Sequence, residues 1–105
     1  MIEAKLILPV KNNEGIELLE IHRDLKNLLV RNYGGCTISN AVGCWEDKKS
    51  GQIFDEAVIT YQVAISDNNI DKQQFKKFAI EYGKKAEQLA VYFVIGGKVS
   101  IIELD

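Results

Sequence analysis

Four carboxylates lie around one predicted hairpin, and paired carboxylates can bind a hard cation or share a proton. Two lysines are interspersed among them and no EF-hand spacing is present, so a solvated turn is the preferred interpretation. The only tryptophan lies beside this tip, where it covers the edge of the core or anchors a partner, and the first role is preferred. If a protein partner exists, we predict that it contacts this tip, through Trp45, Glu46, Asp47, Asp55 and Glu56.

A second group of charges lies on a predicted helix near the C-terminal end. Its lysines form a locally basic strip on an otherwise acidic protein: Lys72, Lys76, Lys77, Lys84 and Lys85. A solvated helix face is the default interpretation of such a strip. If the strip has a partner, an acidic protein surface or a small anionic ligand fits the overall charge better than duplex DNA does.

The remaining reactive side chains match no known catalytic or metal signature. His22 is the only histidine, and with Cys36 and Cys44 it offers too few ligands for a zinc site. The cysteines lie eight residues apart in one predicted strand, roughly 26 Å when extended, so we expect two free, buried thiols. No nucleotide-binding glycine motif is present. The sequence therefore predicts no catalytic residue, no metal and no cofactor.

The composition indicates one acidic globular domain over residues 1–105. Hydrophobic residues make up 47% and charged residues 27% of the chain. The net charge of −2 argues against binding to duplex nucleic acid, which needs a basic surface. No apolar run approaches a membrane span, and the first residues lack the order of a signal peptide. We therefore expect a cytoplasmic protein with no membrane contact.

Hydrophobic periodicity predicts the elements that must position these side chains. Ala4 to Val10 has apolar residues on both faces, which suits a central strand ending at Pro9. A helical stripe follows and stops at Gly34 and Gly35. The stripe consists of Leu18, Ile21, His22, Leu25, Leu28 and Leu29. Cys36 to Trp45 and Ile53 to Ile65 are predicted as a hairpin.

The second half of the chain predicts another helix and another hairpin. The helix has a predicted N-cap at Asp71, a capping box with Gln74 and an Ile70–Phe75 staple. Its predicted apolar stripe is Phe75, Phe78, Ala79, Tyr82, Ala86 and Leu89. The terminal hairpin joins Val91–Ile95 to Val99–Leu104 through a tight glycine turn.

This order predicts an α+β fold of the ferredoxin-like βαββαβ type with an added C-terminal strand. Right-handed crossovers place both helices on one face of an antiparallel sheet. Ala57, Ile59, Tyr61, Val63 and Ile65 are expected to face the helices. The open face then carries Ile7, Val58 and Val94, with Trp45 a further candidate. Because such a face usually marks a partner surface, we expect a homo-oligomer that assembles through this face or a sheet edge.

Three motifs resemble small uncharacterised ferredoxin-like proteins of bacterial, phage and plasmid genomes. They are Gly34-Gly35-x-Thr37, Gly43-x-Trp45 followed by Gly51, and the strand Val58–Val63. The resemblance covers most of the chain. It implies a compact accessory protein of a mobile element and names no catalytic residue.

Two functions follow from these observations. The first is a non-enzymatic, oligomeric binding protein that inhibits a host defence protein or sequesters a small ligand. The second is a small oligomeric enzyme acting on a polar metabolite, with His22, Tyr61 or Tyr92 as acid or base. The shortage of polar residues on the predicted inner faces favours the binding protein.

Overall fold

A computed structural model describes residues 1–104 of the chain. The predicted domain extends to Asp105, which lies outside the described residues. The elements are β1 (Ile2–Pro9), α1 (Leu19–Tyr33), β2 (Thr37–Glu46), β3 (Ile53–Ile65), α2 (Asn69–Lys85), β4 (Ala90–Ile95) and β5 (Lys98–Glu103).

The strands form one antiparallel sheet in the order β2-β3-β1-β4-β5. The predicted ferredoxin-like fold with an added C-terminal strand is confirmed. β1 lies at the centre, as its apolar residues on both faces predict, and pairs with β3 on one side and β4 on the other. Both crossover helices cover the same face. The second face of the sheet is left open.

The core lies between the helices and the covered face of the sheet. Leu6 and Leu8 of β1 and Leu25 and Leu29 of α1 are fully buried there, together with Phe75 of α2. The β3 residues predicted to face the helices also do so, except that Ala57 lies beyond the helices and is exposed. Burial of such side chains contributes about 1.5–3 kcal/mol each, so this layer holds the helices on the sheet.

The start of α2 differs from the prediction. The N-cap is Asn68, whose side-chain oxygen accepts a hydrogen bond of 2.8 Å from the backbone N–H of Asp71. Asp71 therefore occupies the third helical position instead of the cap. Ile70 is exposed while Phe75 is buried, so the predicted staple does not form. Asn and Asp are nearly equal as caps, so the spacing alone did not choose between them.

The end of α2 also differs from the prediction. The helix ends at Lys85, and Glu87 follows with a φ of 57°. The backbone N–H of Gln88 then donates to the carbonyl of Gly83, a bond that closes the last turn. Leu89, which the stripe placed in the core, lies beyond this turn and is exposed.

The long β2–β3 hairpin extends past the helices. None of the residues of β2 is buried, and the molecule measures 43 × 27 × 25 Å. The other hairpin turns at Gly96 and Gly97, both with positive φ, as the glycine pair predicts. Over the described residues, no helix is long and apolar enough to cross a membrane.

Candidate functional site

A cleft of about 480 Å³ lies between the first turns of α2 and the β4–β5 hairpin. Its apolar floor consists of side chains that β1 and β4 present on the covered face, Ile2, Phe93 and Ile95. Polar groups surround this floor: Asp67, Lys72, Gln73, Lys76, Lys98 and Ser100. An apolar floor with a few convergent polar groups is the usual build of a small-molecule site.

The cleft holds charges of both signs side by side. Lys72 Nζ lies 2.9 Å from Asp67 Oδ1. The Lys72 ammonium, which donates this hydrogen bond, lowers the pKa of the Asp67 carboxyl. Lys76 and Lys98 have no carboxylate within salt-bridge distance among the described residues, so the cleft has a net positive charge.

This arrangement suits a ligand with both a carboxylate and an ammonium group. Its carboxylate would lie against a lysine and its ammonium against Asp67, while its apolar part covers the floor. The described residues contain no group of three or more His, Cys, Asp or Glu side chains that could hold a metal ion.

The structure divides the lysine strip that the sequence singled out. Lys72 and Lys76 line the cleft, whereas Lys77 lines only a second, more open groove along α2, which Lys76 also borders. Lys84 is exposed in the last turn, away from both. The sequence missed Lys98, Asp67 and Ser100, which reach the cleft from a loop and from β5. No local sequence pattern marks these three residues as neighbours of the lysines, because only the sheet topology brings them beside α2.

The carboxylates of the β2–β3 hairpin do not form one cluster. Asp55 pairs in register with Cys44 on the face that carries the helices, and its neighbour Glu56 points to the open face. Glu46 is bound to Lys48 at 3.0 Å. Asp47 accepts hydrogen bonds from the Lys49 backbone and the Ser50 hydroxyl, so it shapes the turn. The preferred interpretation, a solvated turn, agrees with this geometry.

Trp45 does not cover the edge of the core, so the preferred interpretation of this residue is wrong. Its side chain is 55% exposed and stacks on Phe54 across the hairpin, with ring centroids 4.8 Å apart. The alternative role, as an anchor for a partner, stays a prediction.

His22 and Tyr61 form a closed pair between α1 and the sheet. The Nε2–H of His22 donates to the Pro9 carbonyl at 2.8 Å, so in the neutral ring Nδ1 accepts from the Tyr61 hydroxyl. Burial lowers the pKa of His22 and raises that of Tyr61. Both ring nitrogens are occupied, and Tyr92 lies on the opposite face of the sheet. The three proposed acid or base residues therefore do not converge on a site.

Neither cysteine is an activated nucleophile. Both thiols are free, as predicted, but Cys44 is exposed and Cys36 only partly buried, so the prediction that both are buried is wrong. Burial raises the pKa of Cys36, and the hydrogen bond with Asp55 raises that of Cys44. A raised pKa leaves less of the thiolate, which is the nucleophilic form, at neutral pH.

Comparison with family models and with curated proteins finds no match. Among solved structures, the chain is similar to a phage SAM lyase in complex with S-methyl-5′-thioadenosine. The TM-score is 0.73 and the identity 14%, over 96% of this chain and 88% of that one. A phage SAM lyase in its apo state matches with a TM-score of 0.67 and 12% identity, over 98% and 89% of the two chains. At this identity the likeness shows a shared fold.

The comparison overturns the prediction of a non-enzymatic binding protein. The two solved structures reported above, which share this fold over nearly the whole chain, are those of a lyase, which is an enzyme. The prediction rested on the shortage of polar residues on the inner faces. A shortage of polar residues on the inner faces was the wrong criterion. The polar groups of the cleft lie beside the core, so an apolar inner face is compatible with a polar cleft.

Proposed function

We propose that this chain is a small lyase that cleaves S-adenosylmethionine and releases S-methyl-5′-thioadenosine. The observation that carries the proposal is the fold likeness to the phage SAM lyase over 96% of the chain. The cleft between α2 and the β4–β5 hairpin is the proposed binding site. Its volume of about 480 Å³ falls in the usual range for sites that bury a ligand of this size.

The charges of the cleft suit the amino-acid end of this substrate. S-adenosylmethionine carries a carboxylate, an ammonium group and a sulfonium. Asp67 is positioned to accept from the ammonium, and Lys72 and Lys98 to hold the carboxylate. The positive lining repels the sulfonium, and this repulsion is relieved when the sulfur leaves as a neutral thioether.

Cleavage by a lyase breaks the Cγ–S bond without water, and the bonding electrons stay on sulfur. In one route a base removes a Cβ proton and leaves 2-aminobut-3-enoate. In the other, an oxygen of the substrate's own carboxylate attacks Cγ and leaves homoserine lactone. The second route needs no base. It requires that the protein hold the carboxylate close to Cγ, which is a gain from proximity.

The side chains of this protein favour the lactone route. Both ring nitrogens of His22 are hydrogen-bonded, to Pro9 and Tyr61, away from the cleft. Asp67 has a lowered pKa, which makes it a weak base. We therefore propose no general base. The cleft orients the substrate and destabilises its positive charge.

The test is incubation of the purified protein with S-adenosylmethionine, with both products identified by mass spectrometry. We expect S-methyl-5′-thioadenosine and homoserine lactone in equal amounts. Lys98→Ala and Lys72→Ala should each lower kcat/KM by roughly 10- to 100-fold, the usual effect of losing a charged hydrogen bond. The matched control is Lys84→Ala, a lysine of the same helix outside the cleft. If all three substitutions changed kcat/KM equally, the cleft would not be the binding site.

The expected homo-oligomer is retained as a second proposal. Its support is the set of large apolar side chains exposed on the sheet, which includes Trp45, Ile101 and Val99. A sedimentation experiment that gives the mass of one chain at tens of micromolar protein would contradict the proposed homo-oligomer.

A further inference from the structure

Lys76 is the charged side chain of the cleft to which the proposed binding mode gives no role. The cleft is lined by three lysines and one carboxylate, and the carboxylate, that of Asp67, is paired with Lys72. The substrate has a single carboxylate, for which Lys72 and Lys98 are sufficient. Lys76 makes no salt bridge within residues 1–104, so its charge is free to act on another part of the ligand.

Lys72 and Lys76 lie at different levels along the cleft. α2 and β4 run antiparallel, because Gly83, near the end of the helix, packs against the first residues of the strand. The start of α2, with Lys72, therefore lies over the end of β4. Lys76 lies one turn, about 6 Å, further along the helix, on the side of Phe93.

The order of the charged groups in S-adenosylmethionine matches this spacing. Its amino-acid end lies between Asp67, Lys72 and Lys98 in the proposed binding mode. The sulfonium is three bonds, roughly 4 Å, from the carbon that carries the ammonium and the carboxylate. Because the apolar floor extends from Ile95 toward Phe93, a substrate that covers this floor places its sulfur on the side of Lys76.

We infer that the charge of Lys76 acts on the sulfonium, so that the cleft binds a neutral thioether analogue of S-adenosylmethionine more tightly than a cationic one. This inference rests on the proposed function and assigns a residue to its charge selectivity. Two like charges beside an apolar floor repel each other.

The repulsion ends during the reaction. A carboxylate oxygen of the substrate forms a bond to Cγ, the Cγ–S bond breaks, and its electron pair stays on sulfur, which leaves uncharged. Lys76 therefore weakens the binding of the substrate more than that of the transition state, and this difference raises kcat.

The first experiment compares two analogues by isothermal titration calorimetry. S-adenosylhomocysteine has a neutral sulfur, whereas sinefungin has a charged amine in place of the methylsulfonium, and both keep the adenosine and amino-acid groups. The wild-type protein should bind S-adenosylhomocysteine roughly tenfold more tightly. Because Lys76 is exposed, added salt should reduce this preference.

The variant Lys76→Met keeps the length of the side chain and removes its charge. It should bind sinefungin roughly tenfold more tightly than the wild-type protein does and leave the affinity for S-adenosylhomocysteine unchanged. Lys76→Arg, which keeps the charge, should keep the wild-type ratio of the two affinities. Lys77→Met is the matched control, because it removes the neighbouring lysine of the same helix, which lies outside the cleft.

The second experiment measures the kinetics of S-adenosylmethionine cleavage. Lys76→Met should lower KM and kcat together, because it removes a repulsion that the bound substrate experiences and the transition state does not. Loss of an attractive contact with the substrate would instead raise KM. Lys77→Met should change neither constant.

The inference is overturned if Lys76→Met changes the affinities for both analogues equally, changes neither, or raises KM. Cleavage of S-adenosylmethionine by the wild-type protein would still support the proposed function in that case. A wild-type protein that shows the expected preference, and loses it in Lys76→Met, but cleaves no substrate would contradict the lyase and support the role of Lys76. Binding of neither analogue would overturn both.

Discussion

The hydroxyl groups of Tyr33 and Tyr61 are both shielded from solvent, but they differ in their partners. The Tyr61 hydroxyl donates to His22, whereas that of Tyr33 has no hydrogen-bond partner among the described residues. Burial, together with the charge of Asp71, raises the pKa of Tyr33 to about 12, so the group stays protonated. The two tyrosines therefore form a matched pair for measuring what a buried hydroxyl contributes.

We predict that Tyr61→Phe lowers the free energy of unfolding by about 1–3 kcal/mol, because it leaves Nδ1 of His22 without its donor. Tyr33→Phe should be neutral or stabilise the protein by up to about 1 kcal/mol, since it removes an unpaired polar group. Urea unfolding of both variants checks this. A larger loss for Tyr33→Phe than for Tyr61→Phe would contradict the hydrogen-bond assignment.

His22 should make the stability depend on pH. Burial lowers its pKa below the ordinary value of 6.5, so the unfolded chain binds the proton more readily than the folded one. Stability from the neutral ring is then fully present above pH 6.5 and decreases as the pH falls toward the folded-state pKa.

Thermal unfolding between pH 5 and 8 measures this effect. His22→Gln should reduce the slope of the melting temperature against pH. His22 is the only histidine, so the comparison isolates one group. Equal slopes for the wild-type protein and His22→Gln would show that His22 keeps the same pKa when the chain folds.

At the scale of elements, α2 packs tightly against β4 at Gly83. A Cβ atom on Gly83 would lie 2.8 Å from Leu104 Cδ1 and 3.0 Å from Val91 Cβ. The end of the leucine side chain can move, but Val91 Cβ is fixed to the strand. Gly83 therefore sets the distance between the helix and the sheet.

We predict that Gly83→Ala lowers the free energy of unfolding by about 1–3 kcal/mol through overpacking. This loss should exceed the gain of up to about 1 kcal/mol that alanine brings to a helix. The control is Gly35→Ala, where a Cβ meets nothing within 4 Å. Chemical denaturation distinguishes the two, and a stabilised Gly83→Ala would show that the helix moves away at little cost.

The elements could be predicted from the sequence because their signals are local. Alternating and helical periodicity, with glycine stops at Gly34 and Gly96, was enough to order every helix and strand. The errors lie at the ends of α2, where Asn68 and Asp71 are both good caps and where the turn at Glu87 excludes Leu89. Local spacing cannot rank two caps of similar strength.

At the scale of the whole molecule, the cleft could be predicted only in part. Lys72 and Lys76 lie one helical turn apart, so the sequence could find them together. Lys98 comes from the far end of the sheet order, and Asp67 from a loop. Lys98 and Asp67 lie beside the lysines of α2 only because β4 and β5 pack beneath this helix. The proposal of a lyase with its site in this cleft rests on this three-dimensional arrangement and on the comparison of folds.

The most direct test of the proposed lyase activity is the amount of S-methyl-5′-thioadenosine released per protein subunit. Purified protein is incubated with an excess of S-adenosylmethionine, and the product is measured by liquid chromatography over time. Heat-unfolded protein serves as the blank, because S-adenosylmethionine also decomposes unaided. We expect many product molecules per subunit, at a rate that Lys84→Ala leaves unchanged and Lys98→Ala lowers. Product formation at the rate of the blank would contradict the proposed lyase.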